Sequence, residues 1–261
     1  FVERSLSLLE DDGIVASITP NTWLRRQGGD DKFFESLDYY GQPLPKRTNP
    51  VWKVWLENKV SNAKILTKEE ADKYFPGVGS TFTYYFIEKK KPTDTKIDIE
   101  KGNNKIKIDL NSAYSPPNEL NDISMSLHEK LLKAEKYNWI RTTENRKDNL
   151  ERYKQLSDSK TKKHRNKIYM GVNLIRYTGK KMKYFDNAKI MVPITGQPKD
   201  IFVDNKCGVS QDLSFLCFNN KKEADKELAT WNRNKLIQYI FKAYKVGKHI
   251  SAHLMIPKNV D

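Results

Sequence analysis

The stretch Phe1-Val-Glu-Arg-Ser-Leu-Ser-Leu-Leu-Glu-Asp-Asp-Gly-Ile-Val-Ala-Ser-Ile-Thr-Pro-Asn-Thr-Trp-Leu24 decides the fold of the first part of the chain. Apolar residues recur on one helical face before Gly13, and this glycine supplies a permissive turn. The run Ile14–Ile18 is short and apolar, which is typical of a strand covered on both faces. Pro20 ends the strand and begins a loop. The pattern therefore predicts a helix, a turn, a buried strand and a loop, as in an α/β sheet.

A second informative stretch is Phe75-Pro-Gly-Val-Gly-Ser-Thr-Phe-Thr-Tyr-Tyr-Phe-Ile87, in which a glycine-bearing turn precedes aromatic and β-branched residues. Such residues favour a strand. Alternation along it places Phe82, Tyr84 and Phe86 on one face and Tyr85 on the other. Between the two stretches we predict a helix beginning at 32–37, a helix from Pro50 capped by Asn49, a strand at 63–66 and a helix at 68–74.

Together, these two stretches resemble the segment that follows the catalytic Asn-Pro-Pro-aromatic motif in gamma-class adenine-N6 DNA methyltransferases of the restriction-modification type. Residues 1–92 carry the resemblance most clearly. It implies an α/β fold, namely the C-terminal part of a Rossmann-like sheet that uses S-adenosylmethionine. It also implies a reaction in which an adenine is flipped out of double-stranded DNA and its amino nitrogen is methylated, without a metal.

The family's catalytic motif and its glycine-rich first strand do not occur in this sequence. Asn49-Pro-Val-Trp52 lacks the second proline, and Ser115-Pro-Pro-Asn118 lacks the aromatic residue. We interpret both as turns or caps, so no catalytic residue is assigned. The resemblance then implies that an upstream methyltransferase segment, or another chain, completes the active site.

The resemblance implies that the residues present here form only the far wall of the methyltransferase active site. The candidate target-base pocket consists of Phe86, Tyr85, Tyr84, Asn21 and Trp23. The resemblance favours Phe86 as the group that stacks on the adenine. Asn21 and Trp23 follow the carboxyl end of a strand, where open α/β sheets place their ligands. Phe1 lies where the family has a phenylalanine that packs against the adenine ring of the cofactor. Each aromatic side chain could instead belong to the core.

The net charge of +14 is distributed unevenly. Residues 1–92 hold 14 Lys/Arg against 13 Asp/Glu, and residues 93–261 hold 33 against 20. Residues 141–183 alone contain 14 basic and four acidic residues. This excess predicts a DNA-binding surface, and a solvated lysine-rich surface is the plain alternative. The expected phosphate contacts are Arg141, Arg146, Lys147, Arg152, Lys162, Lys163, Arg165, Lys167, Arg176, Lys180 and Lys181.

The charged segment Lys89–Asp94 ends near proline and predicts a domain boundary. We expect residues 1–92 to be the C-terminal part of a catalytic domain and residues 93–261 to be an α+β, basic target-recognition domain. The second part is predicted to contain a hairpin at 96–110, helices at 124–137, 145–156 and 222–245, and strands at 168–175, 188–192, 201–203 and 213–218.

Composition excludes other classes. No run approaches the ~18 apolar residues of a membrane span. The two cysteines and four histidines have no metal-ligand spacing, so we predict no metal site. We expect a cytoplasmic protein of a bacterial or phage-infected cell. A non-catalytic DNA-binding specificity module with a degenerate methyltransferase segment is the main alternative, and an RNA-binding or RNA-modifying protein is the third.

Overall fold

The computed structural model describes residues 1–21, 34–37, 50–78, 81–111, 116–142, 156–246, 249–250 and 255–258. Trp23, Asn49, Arg146, Lys147, Arg152 and nearly all of the predicted helix at 145–156 lie outside these residues. The described part is a mixed α/β protein with several sheets and six helices. None of the described helices has the length and apolar character needed to cross a membrane.

The described helices are α1 (Val2–Ser7), α2 (Pro50–Glu57), α3 (Lys68–Tyr74), α4 (Asp122–Lys133), α5 (Lys221–Arg233) and α6 (Lys235–Ala243). The strands are β1 (Ile14–Pro20), β2 (Phe34–Leu37), β3 (Lys59–Ile65), β4 (Phe82–Glu88), β5 (Lys96–Lys101), β6 (Asn104–Asp109), β7 (Trp139–Thr142), β8 (Leu156–Ser157), β9 (Asn166–Tyr169), β10 (Ile175–Thr178), β11 (Ala188–Pro193), β12 (Phe202–Asp204), β13 (Gly208–Val209), β14 (Leu213–Phe218), β15 (Lys245–Val246) and β16 (His249–Ile250).

The chain divides into two compact units. Unit 1 comprises Phe1–Asp30, Arg47–Lys133 and Ala243–Gly247, and unit 2 comprises the remaining three segments, Asp31–Lys46, Ala134–Lys242 and Lys248–Asp261. This division does not follow the predicted boundary after residue 92. Strand β5 pairs in parallel with β3, and β6 pairs with β5, so the predicted hairpin extends the first sheet. The charged segment at 89–94 is a connection within that sheet.

The sheet of unit 1 has the order β1-β4-β3-β5-β6. Strand β4 is antiparallel to both β1 and β3, and β3 is parallel to β5, so β1, β3 and β5 share one direction. The core of unit 1 covers one face of this sheet. It contains buried side chains of α1 and α2, such as Leu6, Trp52 and Trp55, packed with Ile87 and Ile99 of the strands.

Strand β1 departs from its predicted environment. Its residues alternate between exposed and half-buried, with Ile14 62% and Ile18 48% exposed. The reason is its place at the edge of the sheet, where the described residues cover only the core face. The apolar run therefore marks a strand with one open face, and the expectation of cover on both faces was wrong for the described chain.

Unit 2 contains two sheets and helices. One sheet has the order β12-β11-β14-β7-β2, and the other has the order β13-β9-β10-β8. Met191, Leu213 and Phe215 of the first sheet share a core with Val209 and Tyr169 of the second. Helix α5 packs on β11, β12 and β14. Its Trp231 lies 5.9 Å from Trp139 of β7 between ring centroids.

Three predicted elements differ from the structure of unit 2. Residues 34–37 form a strand parallel to β7, because long-range pairing overrides the local helical pattern. The predicted strand 168–175 is a hairpin of β9 and β10. The predicted helix 222–245 is interrupted at Asn234, whose Oδ1 accepts hydrogen bonds from the backbone N–H groups of Leu236 and Ile237. This cap starts a second helix.

Candidate functional site

Asn21, a residue of the predicted target-base pocket, lies where β1 ends and β4 begins. Because β1 and β3 are parallel, their carboxyl ends lie at the same edge of the sheet. Asn21 follows β1 directly and is 3% exposed. Its Nδ2 donates to Thr81 Oγ1 at 2.8 Å, and its Oδ1 accepts from Thr83 Oγ1 at 2.5 Å. The amide of Asn21 therefore ties the end of β1 to the start of β4. Because Thr83 lies on the core side of β4, like Tyr85, the geometry does not support a place for Asn21 beside the open-face aromatic row.

The open face of the sheet carries an aromatic row. Phe82, Tyr84 and Phe86 of β4 are half-buried, and the residues between them are buried, as alternation predicted. Phe82 packs against Phe75, with ring centroids 4.6 Å apart. Tyr84 and Phe86 are flanked by the neighbouring strands β1 and β3. This row is the part of unit 1 best suited to stack on a planar ligand.

The cross-strand neighbours distinguish Phe86 from Tyr84. Phe86 lies opposite Ala16 of β1 and Ser61 of β3, which are both small and exposed. Tyr84 lies opposite the larger Ile18 and Lys64. Small neighbours leave the surroundings of the Phe86 ring open, so Phe86 offers the more accessible stacking surface.

Tyr85 lies on the opposite face of β4 from Tyr84 and Phe86. It is fully buried and contacts Trp55 edge-on, with ring centroids 4.8 Å apart. Burial raises the pKa of its hydroxyl, although the nearby Thr19 and Trp55 oppose this effect. Its place in the predicted pocket is therefore not supported by geometry, because a side chain in the core cannot share a ligand with the open face.

A polar pair borders the aromatic row beside Tyr84. Lys64 Nζ donates to Glu70 Oε1 at 2.6 Å, and Glu70 Oε2 accepts from the backbone N–H of Thr67 at 2.8 Å. The hydrogen bond raises the pKa of Lys64 and lowers the pKa of Glu70. Thr67 and Glu70 also form the capping box that begins α3. The margin of the row is thus a fixed, charged ion pair.

Phe1 has a fully exposed side chain at the N-terminus of α1. The adjacent Glu3 and Arg4 are exposed as well. A cofactor's adenine ring could stack on this phenylalanine only if further residues enclosed it. The described residues near Phe1 therefore do not form a site for S-adenosylmethionine by themselves. In the described ranges, no group of three or more His, Cys, Asp or Glu side chains is arranged to hold a metal.

The charge excess follows the compact units. Unit 1 holds 19 Lys/Arg and 17 Asp/Glu, whereas unit 2 holds 28 and 16. Moving the boundary from residue 92 to the observed division therefore preserves the asymmetry that the sequence indicated. A field of this kind, spread over one compact unit, attracts polyanions.

The predicted phosphate contacts fall into distinct environments. Lys162, Lys163 and Arg165 are exposed in the loop before β9, and Lys180 is exposed after β10. In contrast, Lys167, Arg176 and Lys181 form ion pairs with Asp204, Asp158 and Asp186, respectively. Arg141 is half-buried within β7. The loop cations are thus exposed to solvent, whereas ion pairs partly neutralise Lys167, Arg176 and Lys181.

Sequence reasoning missed the side chains that fix the end of β1 and the one that borders the aromatic row. These are Thr81 and Thr83, which bind Asn21, and Lys64, which borders Tyr84. A signal was present at Thr81 and Thr83, because two threonines with a spacing of two lie on one side of a strand. Their partner Asn21 is sixty residues away, so the pairing itself was not readable.

Comparisons with known proteins give no identification. No protein-family model matches the chain, and the search of curated proteins finds no match. Function must therefore be argued from the sequence and from the geometry of the two units.

Proposed function

We propose that this chain is the C-terminal part of a site-specific adenine-N6 DNA methyltransferase. Unit 1 contributes one wall of the target-base pocket, and unit 2 binds double-stranded DNA. One observation carries the proposal: Tyr84 and Phe86 belong to a half-buried aromatic row on the open face of β4, and Phe86 is flanked there by the small, exposed residues Ala16 and Ser61. An aromatic surface of this kind can stack on a base that has left the duplex.

Phe86 is the stacking group in this proposal. An adenine that leaves the duplex loses a few kcal/mol of stacking and pairing, and an aromatic surface restores part of it. The small neighbours Ala16 and Ser61 leave room for a base beside the ring. Tyr84 extends the same surface toward Lys64. Tyr85 contributes indirectly, because its contact with Trp55 fixes β4 in the core.

S-adenosylmethionine is the cofactor that the proposal implies, and when bound it supplies the methyl group. The described residues contribute at most Phe1 to its binding. An upstream methyltransferase segment or another chain is the partner that completes both the cofactor site and the acceptors for the adenine amino group. An enzyme of this class would act in the cytoplasm of a bacterial or phage-infected cell.

A second candidate is a non-catalytic DNA-binding specificity module with a degenerate methyltransferase segment. Absence of the Asn-Pro-Pro-aromatic motif and of a glycine-rich strand from the natural protein that contains this chain would favour it. Such a module would need the basic surface of unit 2 but no accessible ring at Phe86. The two candidates therefore differ in what they require of unit 1.

The test is incorporation of labelled methyl groups. The natural protein that contains this chain is incubated with labelled S-adenosylmethionine and mixed-sequence DNA, and the nucleosides are separated after digestion. We expect label on adenine N6 and a slower reaction for Phe86→Ala with retained duplex binding. Duplex binding without any label would favour the specificity module. Stronger binding to RNA than to duplex DNA would favour the third class instead.

A further inference from the structure

Two turns of unit 2 are joined at one end of its second sheet. We call them the paired turns: residues 182–187 between β10 and β11, and residues 204–207 between β12 and β13. The backbone N–H of Cys207 donates to Phe185 O at 3.0 Å. The buried Lys189 donates from Nζ to Asn187 O at 2.8 Å and to Phe185 O at 3.3 Å. The ammonium group of Lys189 therefore fixes two backbone carbonyls of the first turn.

The second turn is anchored at its first residue. Asp204 accepts hydrogen bonds from Lys167 Nζ and from Tyr169 Oη, the latter at 2.7 Å. Burial alone would raise the pKa of Asp204, but these hydrogen bonds lower it below its usual value. Asp204 also accepts from the backbone N–H of Asn205 at 2.7 Å. The turn is therefore fixed on both sides of Lys206.

Backbone strain is concentrated in the paired turns. In the described ranges, four residues other than glycine have positive φ, namely Asp12, Asn62, Tyr184 and Lys206. Asp and Asn tolerate this conformation comparatively well, whereas lysine and tyrosine rarely adopt it. Tyr184 and Lys206 have φ of 63° and 49° and lie one in each turn. Strain that is held in place by surrounding contacts is characteristic of functional sites.

The paired turns lie beside exposed cations. Gly208 pairs with Ile168, so the second turn lies at the end of the sheet where β9 begins. The loop that leads into β9 carries Lys162, Lys163 and Arg165, and it passes close to Gly179 after β10. These three cations and Lys206 are exposed and form no ion pair with any residue in the described ranges. One end of the sheet thus gathers uncompensated charge.

We propose that this end of unit 2 is a preformed phosphate-binding surface for double-stranded DNA, and that Lys206 is one of its contacts. The inference rests on the proposed DNA binding and adds a residue that lies outside the basic segment 141–183. A fixed backbone lowers the entropy that a lysine loses when it contacts a phosphate. This explains why a strained lysine occupies a turn where asparagine or glycine would be easier to accommodate.

The test compares Lys206→Asn with the matched control Lys199→Asn. Asparagine tolerates positive φ, so Lys206→Asn removes the charge without adding strain, and its Tm should equal or exceed that of the unmodified protein. Lys199 is an exposed lysine of the same unit in the turn Pro198–Asp200, away from the paired turns. Binding of a labelled duplex of mixed sequence is measured by anisotropy across a range of salt concentrations.

Affinity falls as salt rises, and we expect Lys206→Asn to make the slope of log affinity against log salt about 0.9 less steep. Binding should then be about eightfold weaker near 0.1 M salt. Lys199→Asn should leave the slope unchanged. If Lys206→Asn behaves like the control, or if both variants lose the same slope, the assignment of Lys206 is overturned while DNA binding stands. If the unmodified protein does not bind the duplex, the proposed function fails as well.

Discussion

Replacing Phe86 and Tyr85 in turn distinguishes the open face of β4 from its core face. Tyr85→Ala removes a fully buried ring and its edge-on contact with Trp55. A substitution of this kind costs about 3–5 kcal/mol of unfolding free energy. Phe86 is half-buried between the small residues Ala16 and Ser61. We expect Phe86→Ala to cost about 1.5–2.5 kcal/mol, since roughly half of the transfer and cavity cost applies.

Base stacking should show the opposite order. Stacking of a base on an aromatic side chain contributes about 1–3 kcal/mol, so Phe86→Ala should weaken capture of an extruded base by about 5- to 150-fold. The probe is a duplex in which 2-aminopurine faces an abasic position, because its fluorescence reports stacking directly. Phe82→Ala is the matched control, since the Phe82 ring already packs against Phe75 within the protein.

Stability is measured by denaturant unfolding, and the variants are compared only if their m-values agree. Capture of the extruded base is measured by titration of the fluorescent duplex. A loss of stability for Phe86→Ala as large as that for Tyr85→Ala would mean that the row is covered, which refutes the open face. Unchanged capture by Phe86→Ala, at the expected stability, would mean that the base binds elsewhere.

Two further substitutions test the interior of each unit. Asn21→Ala should cost about 2–3 kcal/mol of stability, because it removes the acceptor for the buried Thr83 hydroxyl and the donor to Thr81; a loss below about 1 kcal/mol in denaturant unfolding would contradict this reasoning. Lys136 is 4% exposed, and burial lowers its pKa to about 8. Because the unfolded chain binds more protons between about pH 8 and 10.5, stability should rise with pH across that range, and Lys136→Met should remove this rise; unfolding curves across this pH range would contradict the prediction if the two proteins showed the same slope.

Elements with local signals were predictable from sequence. Helix α3 has its predicted bounds because Thr67 and Glu70 supply a capping box. Strand β14 also has its predicted bounds, since four of its six residues from Leu213 to Phe218 are aromatic or aliphatic. The sides of β4 followed from alternation alone, which separated Phe86 from Tyr85 before any packing was known.

Elements that depend on distant partners were not predictable. The strand at 34–37 exists through pairing with β7, which lies about a hundred residues later in the sequence. Likewise, β5 and β6 belong to unit 1 because β5 pairs with β3, a strand that lies within residues 1–92. The break before α6 could have been inferred, because Asn234 is a residue type that favours the start of a helix.

The same limit applies to the basic surface. A net charge calculated from the sequence gives every lysine the same weight. In the folded chain, however, the charges of Lys167 and Lys181 are compensated by Asp204 and Asp186, respectively. Lys206 lies outside any run of like charges, so the sequence pattern does not single it out. Its importance depends on a positive φ and on contacts made by Asp204 and Cys207, which only the folded chain supplies.

The two candidate functions rest on different forces, and this makes them separable. Phosphate binding by unit 2 depends on counterion release and weakens steeply with salt. Stacking on Phe86 involves no charge, and unit 1 holds nearly balanced numbers of basic and acidic residues. A specificity module needs only the first force, whereas a methyltransferase must also hold the extruded base against its return to the duplex. Capture of an unpaired base that persists at high salt is therefore the property that a methyltransferase requires and a specificity module does not.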